Sequence, residues 1–90
     1  MNYHTIIVRG ENIRYIQIGA GTTILFLHGY GIPLKYLETY FRLLGQKYTI
    51  IAPEIFGFNN LRNPPTTLHD SAILAKEFCN ALGIEPTIVI

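Results

Sequence analysis

The start of the chain alternates short apolar runs with turn-forming residues. Residues 3–8 and 13–18 are rich in β-branched and aromatic side chains, and residues 9–12 between them have the composition of a turn. Two strand-like runs joined in this way predict an antiparallel hairpin.

Three further segments are apolar almost without interruption. They cover residues 23–27, 49–52 and 87–90. Such runs are typical of strands that are buried on both faces of a parallel sheet. Residues 54–65, which are rich in Gly, Asn and Pro, predict a loop after the second run.

The segments between these runs have the period of a helix. In residues 35–45 the apolar positions are Leu37, Tyr40, Phe41 and Leu44. This i, i+3, i+4, i+7 spacing predicts one buried face of a helix that ends near Gly45.

A second helix is predicted over residues 68–82. Its predicted buried stripe consists of Leu68, Ala72, Ala75, Cys79 and Leu82. Thr67, with Asp70 three residues later, resembles a capping box at the helix start. Gly83 suits the position that follows the helix end.

The order of the predicted elements is hairpin, strand, helix, strand, helix, strand. Apolar strands that alternate with amphipathic helices form parallel sheets through right-handed crossovers. The predicted fold class is therefore α/β, with an antiparallel hairpin followed by a parallel βαβαβ unit. We expect residues 1–90 to be a partial domain, because domain boundaries normally lie in exposed polar linkers and residue 90 lies within a predicted strand.

Composition and charge narrow the class of protein. Charged residues make up 14% of the chain, and the formal net charge is +1 without a Lys or Arg cluster. We therefore expect no nucleic-acid partner and no membrane partner. The single cysteine, Cys79, excludes an internal disulfide. With neither a leader-like start nor a run of about 20 apolar residues, the expected location is cytoplasmic.

Three motifs follow one another at specific spacings. His28-Gly29-Tyr30-Gly31 follows the first buried strand, Pro53-Glu54-Ile55-Phe56-Gly57 closes the second, and Ala81-Leu82-Gly83-Ile84 precedes the third. Together they resemble the N-terminal portion of the α/β-hydrolases, of the type with a His-Gly-x-Gly oxyanion loop. The resemblance covers essentially all 90 residues. It implies that the five strands lie in the order 1-2-4-3-5.

The resemblance implies a role for the first motif. Acyl transfer develops negative charge on a carbonyl oxygen, and loss of one N–H donor to that oxygen costs about 10²–10³ in rate. By resemblance, the backbone N–H of Tyr30 is such a donor and His28 has a structural role. Gly29 and Gly31 let the backbone bend and approach the substrate. The alternative is an ordinary glycine-rich turn between strand and helix.

The second motif departs from the family pattern at three positions. Glu54 stands where Asp is usual, Asn59 where Gly is usual, and Leu61 where Ser is usual. Asn tolerates the left-handed backbone region, so Asn59 is compatible with the turn, whereas Leu61 removes a polar side chain. The second motif has two possible interpretations. It is either a loop that shapes the pocket or a connecting loop without a chemical role.

The catalytic residues of the family have no matching positions among these 90 residues. The nucleophile lies in a Gly-x-Ser-x-Gly elbow beyond the next strand, and an acid and a His follow. Ser71 is the only serine, and its neighbours His69 and Asp70 point in other directions on a helix, so we assign no triad. Cys79 lies on the apolar stripe and is expected to be a core thiol. The histidines have no companion ligands at metal-binding spacing, and we predict no metal and no cofactor.

Two functional hypotheses follow. The first is an N-terminal fragment of an α/β-hydrolase whose full-length parent hydrolyses an ester or related bond of a small-molecule substrate with a nucleophile–His–acid triad. The second is a standalone, non-catalytic module that binds a small molecule or a protein. We favour the first, because nothing in the sequence caps the last strand or protects the sheet edge. The isolated chain is then expected to be inactive, and to self-associate or need the missing C-terminal part.

The nucleotide sequence after codon 90 separates the two hypotheses. For a fragment, we expect it to encode Gly-x-Ser-x-Gly or a close variant within about five residues, in the same or a shifted frame. Intergenic sequence without such a remnant in any frame would favour the binding module.

Overall fold

The computed structural model describes residues 3–27, 34–55 and 61–89. Its strands are β1 (Tyr3–Val8), β2 (Glu11–Gly19), β3 (Thr22–Leu25), β4 (Tyr48–Pro53) and β5 (Ile88–Val89). A 3₁₀ segment (Leu34–Leu37) leads into helix α1 (Glu38–Leu44), and helix α2 is Leu68–Leu82. The strand bounds differ from the predicted ones by no more than two residues.

The five strands form one mixed sheet in the order β1-β2-β4-β3-β5. The pairs β1–β2 and β2–β4 are antiparallel, whereas β3 pairs in parallel with β4 and with β5. The predicted fold class, an antiparallel hairpin followed by parallel strands, is confirmed. The predicted strand order is confirmed as well.

The hairpin turn is shorter than predicted. Val8 pairs directly with Glu11, so the turn has only Arg9 and Gly10 as its central residues. Both have positive φ angles, 56° and 73°. This is the geometry of a type I′ turn, whose twist matches that of the flanking strands. Glu11 and Asn12, predicted in the turn, belong to β2 because of this tight connection.

Two apolar clusters cover the two faces of the sheet. The cluster on one face joins α1 to the sheet through Phe41, Ile24 and Ile50. The cluster on the other face joins α2 to the sheet through Phe78 and Ile51, among others. Consecutive residues of β4 thus face opposite helices, as the period of a strand requires.

Helix α1 differs from its prediction in two respects. Leu37, the residue before the helix, makes no side-chain cap. The turn before the helix has 3₁₀ geometry, which commonly satisfies the unpaired backbone groups at a helix end. Phe41 is fully buried, but Tyr40, predicted on the buried face, is 44% exposed. Its ring contacts Phe26 edge-on with centroids 5.9 Å apart, so Tyr40 borders the core and is not enclosed by it.

The predicted buried stripe of α2 is partly wrong. Leu68 is 87% exposed and Ala72 is exposed, whereas Leu74 and Phe78 fill the core. The larger side chains bury more apolar area, so the helix is rotated to place them inward. The helix ends follow the prediction: the Thr67 hydroxyl accepts the Asp70 N–H at 3.0 Å, and Gly83 is the left-handed C-cap.

Gly19 lies where the backbones of β2, β4 and the turn before β4 come together. Its φ is +88°, and a Cβ atom there would lie 2.1 Å from the carbonyl oxygen of Tyr48 and 2.6 Å from that of Gly45. Backbone atoms on two sides cannot move aside without a shift of the strands. The close approach of β2 to α1's end therefore depends on glycine.

We expect Gly19→Ala to destabilise the chain well beyond the control Gly10→Ala. Both positions have positive φ, which costs a non-glycine residue about 1–2 kcal/mol. Gly10 has no atom within 4 Å of the added Cβ, so only Gly19→Ala adds a steric clash. Urea unfolding followed by circular dichroism measures both free energies. Equal losses would show that the close approach is not a constraint.

Candidate functional site

The candidate site lies at the edge of the sheet where β3 and β4 end. These strands are parallel, with Leu25 paired to Ile51, and the Phe26 N–H donates to the Ile51 carbonyl at 2.9 Å. The chain therefore leaves both strands at one edge, where ligands of open α/β sheets bind.

The predicted oxyanion loop starts directly after Leu27, the last described residue of this stretch. The four predicted site residues are His28, Gly29, Tyr30 and Gly31, and they lie outside the described residues. The structure describes the segments that flank them in the chain, which are the end of β3 with Phe26 and Leu27, and the 3₁₀ segment that begins at Leu34.

Glu54, the first residue after β4, is buried and paired. Its carboxylate accepts from the guanidinium of Arg14 on β2, with Nη2–Oε1 and Nη2–Oε2 distances of 2.9 Å and 3.0 Å. The Glu54 N–H also donates to the Arg14 carbonyl at 2.8 Å. Side chain and backbone together hold the segment after β4 against β2. This contact gives Glu54 a structural role that the sequence left open.

Arg14 was missed as a site residue by sequence reasoning. The Tyr3 ring lies under its guanidinium, 4.2 Å from the centroid, so the cation also contacts a π face. Hydrogen bonding to Glu54 raises the pKa of Arg14 above its already high value, and the group stays charged. The pKa of the Tyr3 phenol is raised first by burial and then by the charge of Glu54. The sequence did contain a signal for this role, because Arg14 is the one cation of β2 and lies between two apolar residues.

The departures from the family pattern have different outcomes. Leu61, at the position where Ser is usual, is buried in the cluster that α2 covers. It contributes apolar contact in place of a polar side chain. Asn59 lies outside the described residues.

The three residues that resemble a triad by type have separate structural contacts. The hydroxyl of Ser71 donates to the Thr67 carbonyl at 2.9 Å within α2, and Ser71 is buried. Asp70 lies 3.4 Å from Arg9, and His69 is exposed. This arrangement agrees with leaving them out of the site.

Cys79 is a buried thiol on α2, as predicted. Burial raises the pKa of its thiol, so the nucleophilic thiolate is scarce at neutral pH. Among the residues that the structure describes, no group of three His, Cys, Asp or Glu side chains is arranged to hold a metal ion. Within the same residues, neither helix has both the length and the apolar character to cross a bilayer.

We expect Arg14→Met to destabilise the chain by about 1–3 kcal/mol. The substitution leaves the buried Glu54 carboxylate without its cation, and loss of one partner of a fully buried pair costs about 3–5 kcal/mol. The smaller figure follows because 54% of the Arg14 side chain is exposed. Urea unfolding measures the change, and Arg9→Met, which breaks the partly exposed ion pairs of Arg9 with Glu77 and Asp70, is the control.

The double variant Arg14→Met/Glu54→Gln isolates the pair. It should recover part of the loss, because the uncompensated charge is then removed. A loss in Arg14→Met no larger than in Arg9→Met would contradict the anchoring role of Glu54.

Several known proteins resemble this chain in sequence or in structure. No family model matches the chain. A soluble epoxide hydrolase from Corynebacterium sp. (strain C12) is 23% identical over 92 residues, which cover all of this chain and 32% of that protein. A membrane phospholipase A, a bacterial virulence factor, superposes with a TM-score of 0.85 at 22% identity, over 98% of this chain and 30% of its own.

A third similarity comes from another named activity. A haloalkane dehalogenase loop variant from Bradyrhizobium elkanii superposes with a TM-score of 0.77 at 24% identity, over 92% of this chain and 29% of its own. The chain thus spans about a third of the length of these relatives. All three are hydrolases or dehalogenases with the α/β-hydrolase fold, and the match lies in its N-terminal part. The chain therefore has the fold of the N-terminal part of the α/β-hydrolases.

Proposed function

We propose that this chain supplies the N-terminal part of a hydrolase domain, with the backbone N–H of Tyr30 as one donor of the oxyanion hole. His28, Gly29 and Gly31 form the supporting loop. The observation that carries the proposal is that residues 28–31 follow Leu27 in the chain, and that the chain leaves β3 at the edge where β4 also ends. The hydrolase names of the relatives support the same conclusion.

The supports of the loop suit a preorganised donor. On one side, β3 is paired on both edges, with β4 and with β5, and Ile24 and Leu25 are buried on opposite faces. On the other side, the 3₁₀ segment and α1 are joined to the sheet through Phe41. A donor that is held before the reaction loses no free energy to reorganisation in the transition state.

The reaction itself requires groups from outside these 90 residues. The nucleophile, acid and His of the triad have no matching positions in the chain, and Ser71 is committed to the backbone of α2. Without a triad, an oxyanion hole and substrate binding accelerate the reaction by only about 10³–10⁴ over the rate in water. We therefore propose that the complete domain hydrolyses an ester or related bond of a small molecule, without a cofactor, and that the C-terminal part supplies the triad.

A chimera tests the oxyanion donor. The 90 residues replace the matching part of the Corynebacterium epoxide hydrolase, and epoxide hydrolysis is measured. We expect Tyr30→Pro to lower kcat by about 10²–10³, because proline has no N–H to donate. Tyr30→Phe keeps the donor and is expected to stay within a few-fold of the parent chimera.

Two outcomes would contradict the proposal. Equal kcat values for Tyr30→Pro and Tyr30→Phe would remove Tyr30 from the oxyanion hole. A folded parent chimera that hydrolyses no epoxide would contradict the hydrolase role of the chain. The 90-residue chain by itself, expected to show no turnover, is the background control.

A further inference from the structure

The outer side of β1 is the end of the described sheet on the hairpin side. Among the residues that the structure describes, β1 pairs with β2 alone. This pairing runs from Tyr3–Ile16 to Val8–Glu11 without a skipped residue, so it contains no bulge. The outer side of a terminal strand carries a row of unpaired N–H and C=O groups. We call the outer side of Tyr3–Val8 the β1 edge.

The sequence of β1 has none of the features that protect a strand edge. Residues 3–8 contain no Lys, Arg, Asp, Glu, Pro or Gly. Native sheets protect their edges with charged side chains, prolines or bulges. Short uncharged segments of high β-propensity are instead typical of strands that pair with another chain. The β1 edge is therefore suited to accept a further strand.

The tight turn decides which backbone groups of β1 point outward. Because the turn has two central residues, Val8 and Glu11 form the hydrogen-bonded pair next to it. Along an antiparallel strand, the backbone groups of successive residues point alternately to one side and to the other. Every second residue back from Val8 therefore bonds to β2. The N–H and C=O groups of the residues between them, Tyr3, Thr5 and Ile7, point outward.

The same three residues share one face of the sheet. Tyr3 packs against the apolar cluster of helix α1, and the period of a strand places Thr5 and Ile7 on the face of Tyr3. Helix α1 packs on the central strands, where Phe41 joins the cluster of Ile50. Ile7 is 66% exposed. An apolar side chain thus lies uncovered beside the β1 edge.

The β1 edge is complementary to itself. Two copies related by a two-fold axis normal to the sheet pair their β1 strands antiparallel and keep their α1 faces on the same side. With the axis at Thr5, the two Thr5 residues face each other, and Tyr3 of each copy faces Ile7 of the other. Every outward residue then meets an outward residue. A shift of the axis along the strand leaves Tyr3 or Ile7 without a partner in β1.

The side chains that this register brings together are compatible. The exposed Ile7 is placed on the Tyr3 ring of the second copy, and pairs of an aromatic and a β-branched residue stabilise antiparallel strands. The cation next to the two-fold axis is Arg14, the cross-strand neighbour of Thr5. Its charge is balanced by Glu54. No uncompensated like charges therefore meet at the axis.

We propose that the β1 edge is an interface between two copies of this chain, in which the β1 strands pair antiparallel about a two-fold axis at Thr5. The two sheets then form one continuous sheet. This interface lies at the end of the sheet opposite to β5. It requires neither the oxyanion loop nor a hydrolytic activity, so it goes beyond the proposed function.

Disulfide trapping tests the register. In the proposed pairing the Cα atoms of the two Thr5 residues lie about 5.5 Å apart, which a disulfide can bridge. The two Ile7 residues lie about 14 Å apart along the strands, which is beyond its reach. Under mild oxidation, we expect Thr5→Cys to form at least tenfold more covalent dimer than Ile7→Cys in non-reducing electrophoresis. The parent chain, with Cys79 alone, gives the background.

A matched pair of variants at Thr5 tests the backbone pairing. Thr5→Pro removes an N–H that points outward and leaves the pairing with β2 intact, as proline on an edge strand does. It should raise the dimer Kd at least tenfold in sedimentation equilibrium. Thr5→Val keeps the N–H and the shape of the side chain, and its Kd should stay within about twofold of the parent. Circular dichroism checks each fold, and Ile7→Lys is a second edge variant, expected to weaken the dimer as well.

The outcomes separate the β1 edge from the other end of the sheet. Val89 on β5 is 59% exposed. Association that is weakened by Val89→Lys and not by Ile7→Lys would assign it to β5 and overturn the proposal. A chain that stays monomeric, equal trapping of Thr5→Cys and Ile7→Cys, or equal Kd values for Thr5→Pro and Thr5→Val would overturn it too. None of these results depends on hydrolysis by the chimera, so each leaves the proposed function untouched.

Discussion

The burial of β4 on both faces is the constraint on which the rest of the fold depends. Ile50 and Ile51 are consecutive, both are buried, and they point to opposite faces of the sheet. Burial of each such side chain is worth about 1.5–3 kcal/mol, and it is obtained only if a helix covers each face. The chain therefore needs α1 on one side and α2 on the other. The crossover from β3 to β4 and the crossover from β4 to β5 run in opposite directions across the sheet, and this reversal puts the two helices on opposite faces.

The same strand determines where the chain leaves the sheet beside β3. Because β4 is central, its carboxyl end lies between β2 and β3, and the segment after it leaves the sheet next to the end of β3. A charged residue at this point, Glu54, is buried on leaving the strand and requires a cation from a neighbouring strand. Arg14 on β2 is that cation. The ion pair is thus a consequence of ending a fully buried strand with a carboxylate, and it holds the segment after β4 against β2.

Much of the fold could be predicted from the sequence, because its signals are local. The change of period from strand to helix and the glycine after α2 appear within a few residues of the elements they define. The Arg14–Glu54 pair could not be predicted, because its partners are 40 positions apart and no local pattern links them. The rotation of α2 was missed for another reason. Leu68 and Ala72 extend one apolar stripe, Leu74 and Phe78 form another, and only the packed sheet decides which one faces the core.

The two flanks of helix α2 differ in chemical character. On the hairpin side, Arg9 in the β1–β2 turn pairs with Glu77 and Asp70 of α2, so polar contacts close the helix against the hairpin. On the β5 side, exposed Ala72 and Val89 line an apolar groove whose floor includes the buried Cys79. Helix α2 is thus held to the hairpin by ion pairs and to β4 by apolar packing, and the two kinds of contact together set its position on the sheet.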